Sequence, residues 1–200
     1  MSRIFFILLI CTILSCNNSD TVEAKKDAEN SSAKRNFGND LQFLRQYHKD
    51  LVVLGDSGGA QVIIAPAYQG RVMTSTTEGD KGLSFGCINH ELIASGKTAE
   101  HINAFGGEER FWLGPEGGQF SIYFKKGAEF KFDNWFVPKE IDSEPFQLVS
   151  ANNREAKFEK EIHLENYSGS RFDVQVRRDI RLLNRQAIDS ALGIPVPLAV

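Results

Sequence analysis

The chain has 200 residues, of which 42% are hydrophobic and 24% charged, and it carries a formal net charge of −3 at pH 7. These values are typical of one globular domain with a hydrophobic core, and they exclude a fibrous or wholly disordered chain. The basic residues form no stripe along the sequence, so no nucleic-acid partner is expected.

The first sixteen residues, MSRIFFILLICTILSC, have the pattern of a secretion signal. One cation, Arg3, precedes an apolar run over residues 4–14 that is too short to cross a membrane. The ending ILSC resembles the lipobox of bacterial lipoproteins, whose cysteine becomes the acylated first residue. We therefore expect a lipid anchor on Cys16, which holds the protein on a membrane of the cell envelope, facing the periplasm or the outer surface. The alternative is a plain signal peptide cut after Ser15.

A polar segment follows over residues 17–36, and its only large apolar residue is Val22. Such a segment cannot bury enough surface to order itself, so we predict a disordered tether between the lipid and a folded domain over residues 37–200. Removal of residues 1–15 takes away one of the 23 basic residues and none of the 26 acidic ones, which leaves a net charge of −4.

The domain is predicted to begin with a short amphipathic helix in NDLQFLRQYHKDL, where the apolar residues recur at helical spacing. Asn39 or Asp40 is the expected N-cap. The residues at helical spacing are Leu41, Leu44, Tyr47 and His48.

The stretch GDSGGA, residues 55–60, resembles the sequence around the nucleophile of chymotrypsin-like proteases. That mechanism needs a histidine and an aspartate on earlier strands, but the only earlier histidine, His48, lies on the predicted helix. The G-x-S-x-G motif of hydrolases needs a helix directly after Ser57, whereas residues 60–66 have the pattern of a strand. We therefore interpret the stretch as a hairpin turn.

β-branched runs separated by Gly and Pro predict an antiparallel β domain after residue 50. The first strands are expected at 51–54, 60–66 and 70–77, with others near FGCINHEL, ERFWL, GQFSIYF and PFQLVS. The clearest pair is KFEKEIHLEN and RFDVQVRRDIRLLN, joined by YSGS, because apolar and polar residues alternate there. Arg178 interrupts the apolar side of the last strand, and a brief helix is expected in QAIDSAL.

The sequence ends in the apolar, proline-bearing segment GIPVPLAV. This segment indicates either a piece of a longer β protein or an open sheet edge that pairs with a partner chain. Cys87 is the only thiol left once the signal is removed and Cys16 is acylated, so it lacks a disulfide partner in the chain and fits no metal spacing. We predict that Cys87 is a small buried hydrophobe.

Residues 104–124, AFGGEERFWLGPEGGQFSIYF, concentrate the residue types of a carbohydrate site. Glycines allow close approach of a ligand, a tryptophan offers a flat apolar face, and an arginine between carboxylates supplies donors and acceptors for hydroxyl groups. On a strand, Arg110 and Trp112 would share the more polar face, opposite to Glu109 and Phe111. The alternative is a hairpin with core aromatics and solvated charges.

GRVMTSTTEG at 70–79 and GGEERFWLGPEGG at 106–118 resemble the N-terminal half of galactose-mutarotase-like (aldose 1-epimerase-like) proteins. The chain looks most like uncharacterised bacterial lipoproteins of that superfamily. The resemblance covers roughly residues 40–200 and implies a mainly β, antiparallel supersandwich whose concave face binds sugars. It also implies a cofactor-free reaction with a histidine acid and a glutamate base. Phe105 stands where many mutarotases have a histidine, and the base would lie beyond residue 200, so no catalytic residue is assigned.

Eight residues are expected to line the sugar cleft: Arg71, His90, His101, Glu108, Glu109, Arg110, Trp112 and Glu116. The two histidines lie near Glu91 and Glu100, but their spacing matches no ligand motif, so no metal site is expected. The leading hypothesis is a lipid-anchored envelope protein that binds carbohydrate. The alternatives are a sugar epimerase whose base lies beyond residue 200, and a structural or assembly lipoprotein that binds a partner chain through an open β edge.

Overall fold

Antiparallel strands dominate the computed structural model, which describes residues 36–56 and 59–195. Eight strands lie in this part of the chain: β1 (Val52–Gly55), β2 (Gln61–Ala65), β3 (Arg71–Thr76), β4 (Cys87–Ile88), β5 (Gly106–Gly107), β6 (Gln147–Ala151), β7 (Glu155–Glu165) and β8 (Arg171–Arg181). The α-helices of the same residues are α1 (Phe37–Tyr47), α2 (His90–Ser95) and α3 (Arg185–Leu192). The predicted mainly β class is confirmed, and the arrangement is consistent with a β-sandwich.

The predicted signal, the anchor at Cys16 and most of the tether fall on residues 1–35, outside the described residues. Residues 196–200 of the C-terminal segment also lie outside them. None of the described helices is long and apolar enough to cross a membrane.

The first sheet has the strand order β1-β2-β3. Gly55 pairs with Gln61 across the β1–β2 connection, and the Gly59 amide donates to the Asp56 carbonyl at 3.1 Å. The predicted hairpin between these strands is confirmed, while Ser57 itself lies outside the described residues. Because β2 follows the turn, the strand–turn–helix context of a nucleophilic serine is absent here.

The third sheet has the order β6-β7-β8, and β4 pairs with β5 in a separate two-stranded ribbon. β7 and β8 pair in continuous register from Glu155 opposite Arg181 to Glu165 opposite Arg171, which confirms the predicted hairpin. β6 and β8 are the edges of this sheet among the described residues. Pairing of either edge with another chain stays a prediction.

One hydrophobic core fills the space between the first and third sheets. Alternation along β7 turns its apolar side chains inwards and its charged ones outwards. The fully or nearly fully buried members from the two sheets are Val52, Leu54, Ile64, Ala156, Phe158, Ile162, Leu164 and Val176. The two sheets therefore pack face to face.

A second core covers the opposite face of the first sheet. Helix α1 supplies Phe37 and Leu44, each with no exposed surface, and they pack with Ile63 and Met73 of the sheet. Strand β2 is consequently covered on both faces, which explains why its sequence is a continuous apolar run.

Helix α1 begins earlier than predicted, because Asn36 rather than Asn39 or Asp40 is its N-cap. The Asn36 side chain accepts a hydrogen bond from the Asn39 amide at 2.8 Å. Asn36 also forms an isolated β-bridge with Leu83. Asp40 is buried and accepts from Ser84 Oγ, so its carboxylate holds the helix to the following loops instead of capping it.

The strands predicted near ERFWL and GQFSIYF do not form, and only Gly106–Gly107 of this region is a strand. Two carbonyls of the region accept from buried side chains instead of from a neighbouring strand. Gln69 Nε2 donates to the Phe111 carbonyl at 3.1 Å, and Tyr123 Oη donates to the Leu113 carbonyl at 2.5 Å. The strand on which the predicted alternation of faces over residues 109–113 was based is therefore absent.

The expectation that Cys87 is buried was also wrong, since its side chain is exposed. Strand β4 is only two residues long, and it buries Ile88 while Cys87 faces outwards. A strand that pairs on one side only leaves alternate side chains in solvent.

Candidate functional site

A cavity of about 730 Å³ lies where β3, the β4–β5 ribbon and the start of α2 meet. This volume falls in the range of small-molecule sites. Five of the eight predicted site residues line it: Arg71, His90, Glu108, Glu109 and Arg110. Residues far apart in the sequence are therefore brought together at one cavity.

Arg71 begins β3 and forms the deepest charged part of the wall, with 2% of its surface exposed. Its guanidinium donates from Nη1 to the Gly106 carbonyl at 2.8 Å and from Nη2 to Gln69 Oε1 at 2.9 Å. Burial, followed by the nearby charge of Arg110, lowers the pKa of Arg71 to about 10. Among the described residues its Nε has no hydrogen-bond partner, and the same holds for Nε of Arg110 and Arg178.

Gly107 allows this placement of Arg71. Its φ of +113° is one that residues with a side chain rarely adopt. A Cβ atom at Gly107 would lie 2.7 Å from Arg71 Cδ, which is closer than carbon atoms pack. Gly107, the second glycine of the pair at 106–107, is thus needed for the close approach of the backbone to Arg71.

Glu109 joins the cavity wall to both sheets. One carboxylate oxygen, Oε1, accepts from the Val72 amide at 2.9 Å and from Arg178 Nη2 at 2.6 Å. Val72 belongs to the first sheet and Arg178 to β8 of the third. The residue that interrupts the apolar pattern of β8 is therefore the partner of a predicted site residue.

Arg110 is held by a second carboxylate, Asp142. Its Nη2 donates to Asp142 Oδ1 at 2.6 Å, and the Asp142 side chain is almost fully buried. The same carboxylate accepts from the backbone amide of Asn103 at 3.1 Å and from its side-chain amide at 2.6 Å. Asp142 thus fixes the orientation of one guanidinium that lines the cavity.

His90 lies at the cavity wall, but both of its ring nitrogens face protein acceptors. Nδ1 is 3.1 Å from the Ile88 carbonyl, and Nε2 is 3.0 Å from Asp40 Oδ1. Its ring also packs on Phe43 of α1, with 4.3 Å between the centroids. In this arrangement His90 connects α2 to α1, and neither nitrogen is directed at a ligand.

Trp112 and Glu116 do not line the cavity, and they bind each other. Trp112 Nε1 donates to Glu116 Oε1 at 2.9 Å. The indole packs on Tyr123 at 5.1 Å between centroids, and the Arg110 guanidinium carbon lies 4.6 Å from the ring centre. Protein groups therefore occupy the aromatic surface that was expected to be open for a sugar.

His101 is separate from the cavity as well. Its Nδ1 lies 2.7 Å from the Trp135 carbonyl, and its ring packs against Phe132 and Phe136. These contacts place it in an aromatic cluster of the 132–137 region rather than among the arginines. No group of three or more metal-ligating side chains occurs in the described part of the chain.

Three residues that hydrogen-bond to the charged side chains of the cavity wall were not predicted as site residues. They are Gln69, Asp142 and Arg178. For Arg178 the sequence did carry a signal, because a cation on the apolar side of a strand requires a buried partner. Gln69 and Asp142 lie in segments of ordinary loop composition, and nothing in their sequence context distinguishes them from solvated residues.

Fold and site together define a mainly β domain with an arginine-lined cavity at the edge of its first sheet. The chain belongs to a family of unknown function, DUF6786, whose model matches residues 35–200. Searches of curated proteins and of solved structures gave no match.

Proposed function

We propose that the protein binds carbohydrate in the cavity beside Arg71 and is held at the cell envelope by a lipid on Cys16. The observation that carries the proposal is the convergence of Arg71, Arg110, Glu108 and Glu109 on one cavity. Charged donors and acceptors that line one such space match the alternating hydroxyl groups of a sugar.

The resemblance of residues 70–79 and 106–118 to galactose-mutarotase-like proteins also supports this proposal. We therefore propose membership of that superfamily. Both stretches contribute directly to the cavity, the first through Arg71 and the second through Gly107 and the three charged residues after it.

The test of sugar binding is thermal unfolding of the protein with a panel of neutral and acidic mono- and oligosaccharides. A ligand specific to the native state stabilises it by about 2.7 kcal/mol at a hundredfold excess over its Kd. We expect at least one sugar to raise the midpoint. A panel that leaves the midpoint unchanged at millimolar concentrations contradicts the proposal.

Glu108 provides the matched variant, because it is exposed and lines the cavity, and its side chain makes no hydrogen bond to the part of the chain that the structure describes. We expect Glu108→Ala to weaken sugar binding by about tenfold, which corresponds to the loss of one charge-assisted hydrogen bond. Glu161→Ala, on the outer face of β7, is the control and should leave the affinity unchanged.

The anchor is tested by Cys16→Ser in cells. Acylation requires the thiol, so we expect the wild-type chain in the membrane fraction and the variant in the soluble fraction. Incorporation of a labelled fatty acid into the wild type alone completes the test. An unlabelled wild-type chain contradicts the anchor and leaves the sugar site unaffected.

A further inference from the structure

A second cavity, of about 370 Å³, shares no lining residue with the arginine-lined one. Its walls come from three segments, residues 122–126, 136–138 and 165–166. Backbone hydrogen bonds join these segments, from the Phe136 amide to the Tyr123 carbonyl at 2.9 Å and from the Tyr167 amide to the Ser121 carbonyl at 2.7 Å. The walls are therefore fixed to one another, and the volume lies in the range of small-molecule sites.

Most of the lining of this second cavity is apolar. The apolar and aromatic residues are Ile122, Tyr123, Phe124, Phe136, Val137 and Pro138. Phe124 and Val137 are buried, whereas Phe136 is 36% exposed. Such a wall favours a hydrocarbon group, because apolar surface gains free energy when it leaves water.

Asn166 brings a polar side chain to this apolar lining. The residue is 4% exposed, and its Oδ1 accepts from the Ser170 amide at 2.9 Å, which fixes the orientation of the side-chain amide. Its Nδ2 donates to no group in the part of the chain that the structure describes. Unlike Nε of Arg71, this nitrogen is not completely sealed from solvent. An unmet donor at a nearly buried residue is costly, so an acceptor inside the cavity stabilises this arrangement.

The charged residues of the lining are Lys125, Lys126 and Glu165. Glu165 already has a cationic partner, since its Oε2 accepts from Arg171 Nε at 3.0 Å. Neither lysine forms an ion pair with a described residue. Lys126 Nζ lies beside the β7–β8 turn, 3.4 Å from the position that a Cβ atom of Gly169 would occupy. The lining thus carries two ammonium groups that no described carboxylate contacts.

We propose that the second cavity binds an anionic amphiphile, an alkyl chain that ends in a carboxylate or a phosphate. The chain lies against the apolar wall, and the head accepts hydrogen bonds from the ammonium groups of Lys125 and Lys126 and from Asn166 Nδ2. A cationic head would face the two lysines, and an uncharged head would gain nothing from their charge. This site is separate from the proposed sugar site, so either proposal can fail without the other.

The test is calorimetric titration of the full chain with octanoate, octyl phosphate, octanol and octylammonium, which share one chain and differ in the head. We expect an anion to bind with one-to-one stoichiometry and at least tenfold more tightly than octanol. The tighter of the two anions identifies the head group. Binding of octanol or octylammonium as tightly as the anions overturns the anionic head. Absence of binding by all four at millimolar concentrations overturns the site.

Chain length tests the apolar wall. Burial of two further methylene groups should make octanoate bind about tenfold more tightly than hexanoate. Equal affinities of these two carboxylates would overturn the placement of the chain in the cavity.

Two variants test the head-group contacts. Lys125→Gln combined with Lys126→Gln removes both charges at exposed positions, so it should weaken octanoate binding at least tenfold and leave octanol binding unchanged. Asn166→Asp keeps the acceptor for the Ser170 amide but replaces the donor Nδ2 with a carboxylate oxygen, so it should abolish octanoate binding.

Lys49→Gln combined with Lys81→Gln is the matched control for the double lysine variant. Both lysines are exposed and lie outside the cavity, so this control should keep the wild-type affinity for octanoate. Wild-type affinity in the Lys125 and Lys126 variant, or an equal loss in the control, overturns the assignment of the head-group contacts. If Asn166→Asp does not fold, the comparison of the two double lysine variants decides.

Discussion

At the scale of single residues, Asp142 is the carboxylate on which the loops behind the cavity depend. It is 4% exposed and accepts hydrogen bonds from Asn103 and Arg110. Removal of one partner of a buried ion pair leaves the other charge uncompensated, so Asp142→Ala should lower the free energy of unfolding by about 3–5 kcal/mol. Chemical denaturation measures the change. Asp133→Ala, at an exposed position, is the control, and equal stability of the two variants would contradict this role.

Two histidines should titrate on opposite sides of the ordinary pKa of 6.5. Burial lowers the pKa of His48, whereas the hydrogen bond that His163 donates to the Asp173 carboxylate raises the pKa of the exposed His163. The stabilising contribution of His163 is present below pH 6.5 and is lost as pH rises through its raised pKa. That of His48 is present above pH 6.5 and is lost as pH falls through its lowered pKa.

NMR titration of the imidazole signals resolves the two groups. In Asp173→Asn the raised pKa of His163 should return towards 6.5, because its cross-strand partner no longer carries a charge. The pKa of His48 should stay unchanged in the same variant. A shift of both histidines would show that the effect of Asp173 is not confined to this strand pair.

At the scale of elements, Gly70 controls how closely the start of β3 approaches β7. Its φ is +61°, and a Cβ atom there would lie 2.8 Å from the Phe158 ring. Gly96, which ends α2, has the same φ and no neighbouring atom within 4 Å of such a Cβ. The two glycines share the backbone requirement and differ in packing.

Both Gly→Ala variants should therefore be destabilised, but to different extents. Gly96→Ala should cost about 1–2 kcal/mol of unfolding free energy, the cost of a left-handed conformation for a residue with a side chain. Gly70→Ala should cost about 1–3 kcal/mol more, because the methyl group also overpacks the core against Phe158. Denaturant midpoints at constant m-value measure the difference. Equal losses of unfolding free energy in the two variants would contradict this prediction, because they would mean that the methyl group at position 70 is accommodated beside Phe158 without cost.

The strands whose apolar residues follow a regular pattern could be predicted from the sequence. The candidate site could be predicted only in part. Strands β7 and β8 were predictable from the alternation of apolar and polar residues, and β1 to β3 from their β-branched runs. Burial of a sheet face selects for these patterns. Residues 108–124 have a strand-like composition, but the side chains of Gln69 and Tyr123 donate hydrogen bonds to two of their backbone carbonyls. Such contacts join residues far apart in the sequence, so local propensity does not predict them. For the same reason the partners of Arg110 and Glu109 could not be identified, although both residues were expected at the site.

At the scale of the whole molecule, the first sheet is common to both hydrophobic cores. Trp112 and Trp135 pack against the core between the sheets, whereas Leu44 lies in the core under α1. Leu44 has no exposed surface, so Leu44→Ala should lower the free energy of unfolding by about 2–5 kcal/mol.

Because β2 contributes to both cores, we expect the two cores to unfold together. Tryptophan fluorescence and far-UV circular dichroism should show the same midpoint in the wild type, and Leu44→Ala should shift both equally. A variant that shifts circular dichroism but leaves the fluorescence midpoint unchanged would show that the α1 core unfolds independently.

The carboxylate of Glu109 has a consequence for how this protein can change during evolution. Its Oε1 accepts hydrogen bonds from the Val72 amide of one sheet and from the Arg178 side chain of the other, and the residue also lines the cavity. A substitution that alters ligand preference at this position also removes a crosslink within the sandwich. New specificity here is therefore accessible only to sequences that first gain stability elsewhere, whereas changes at the exposed Glu108 carry no such requirement.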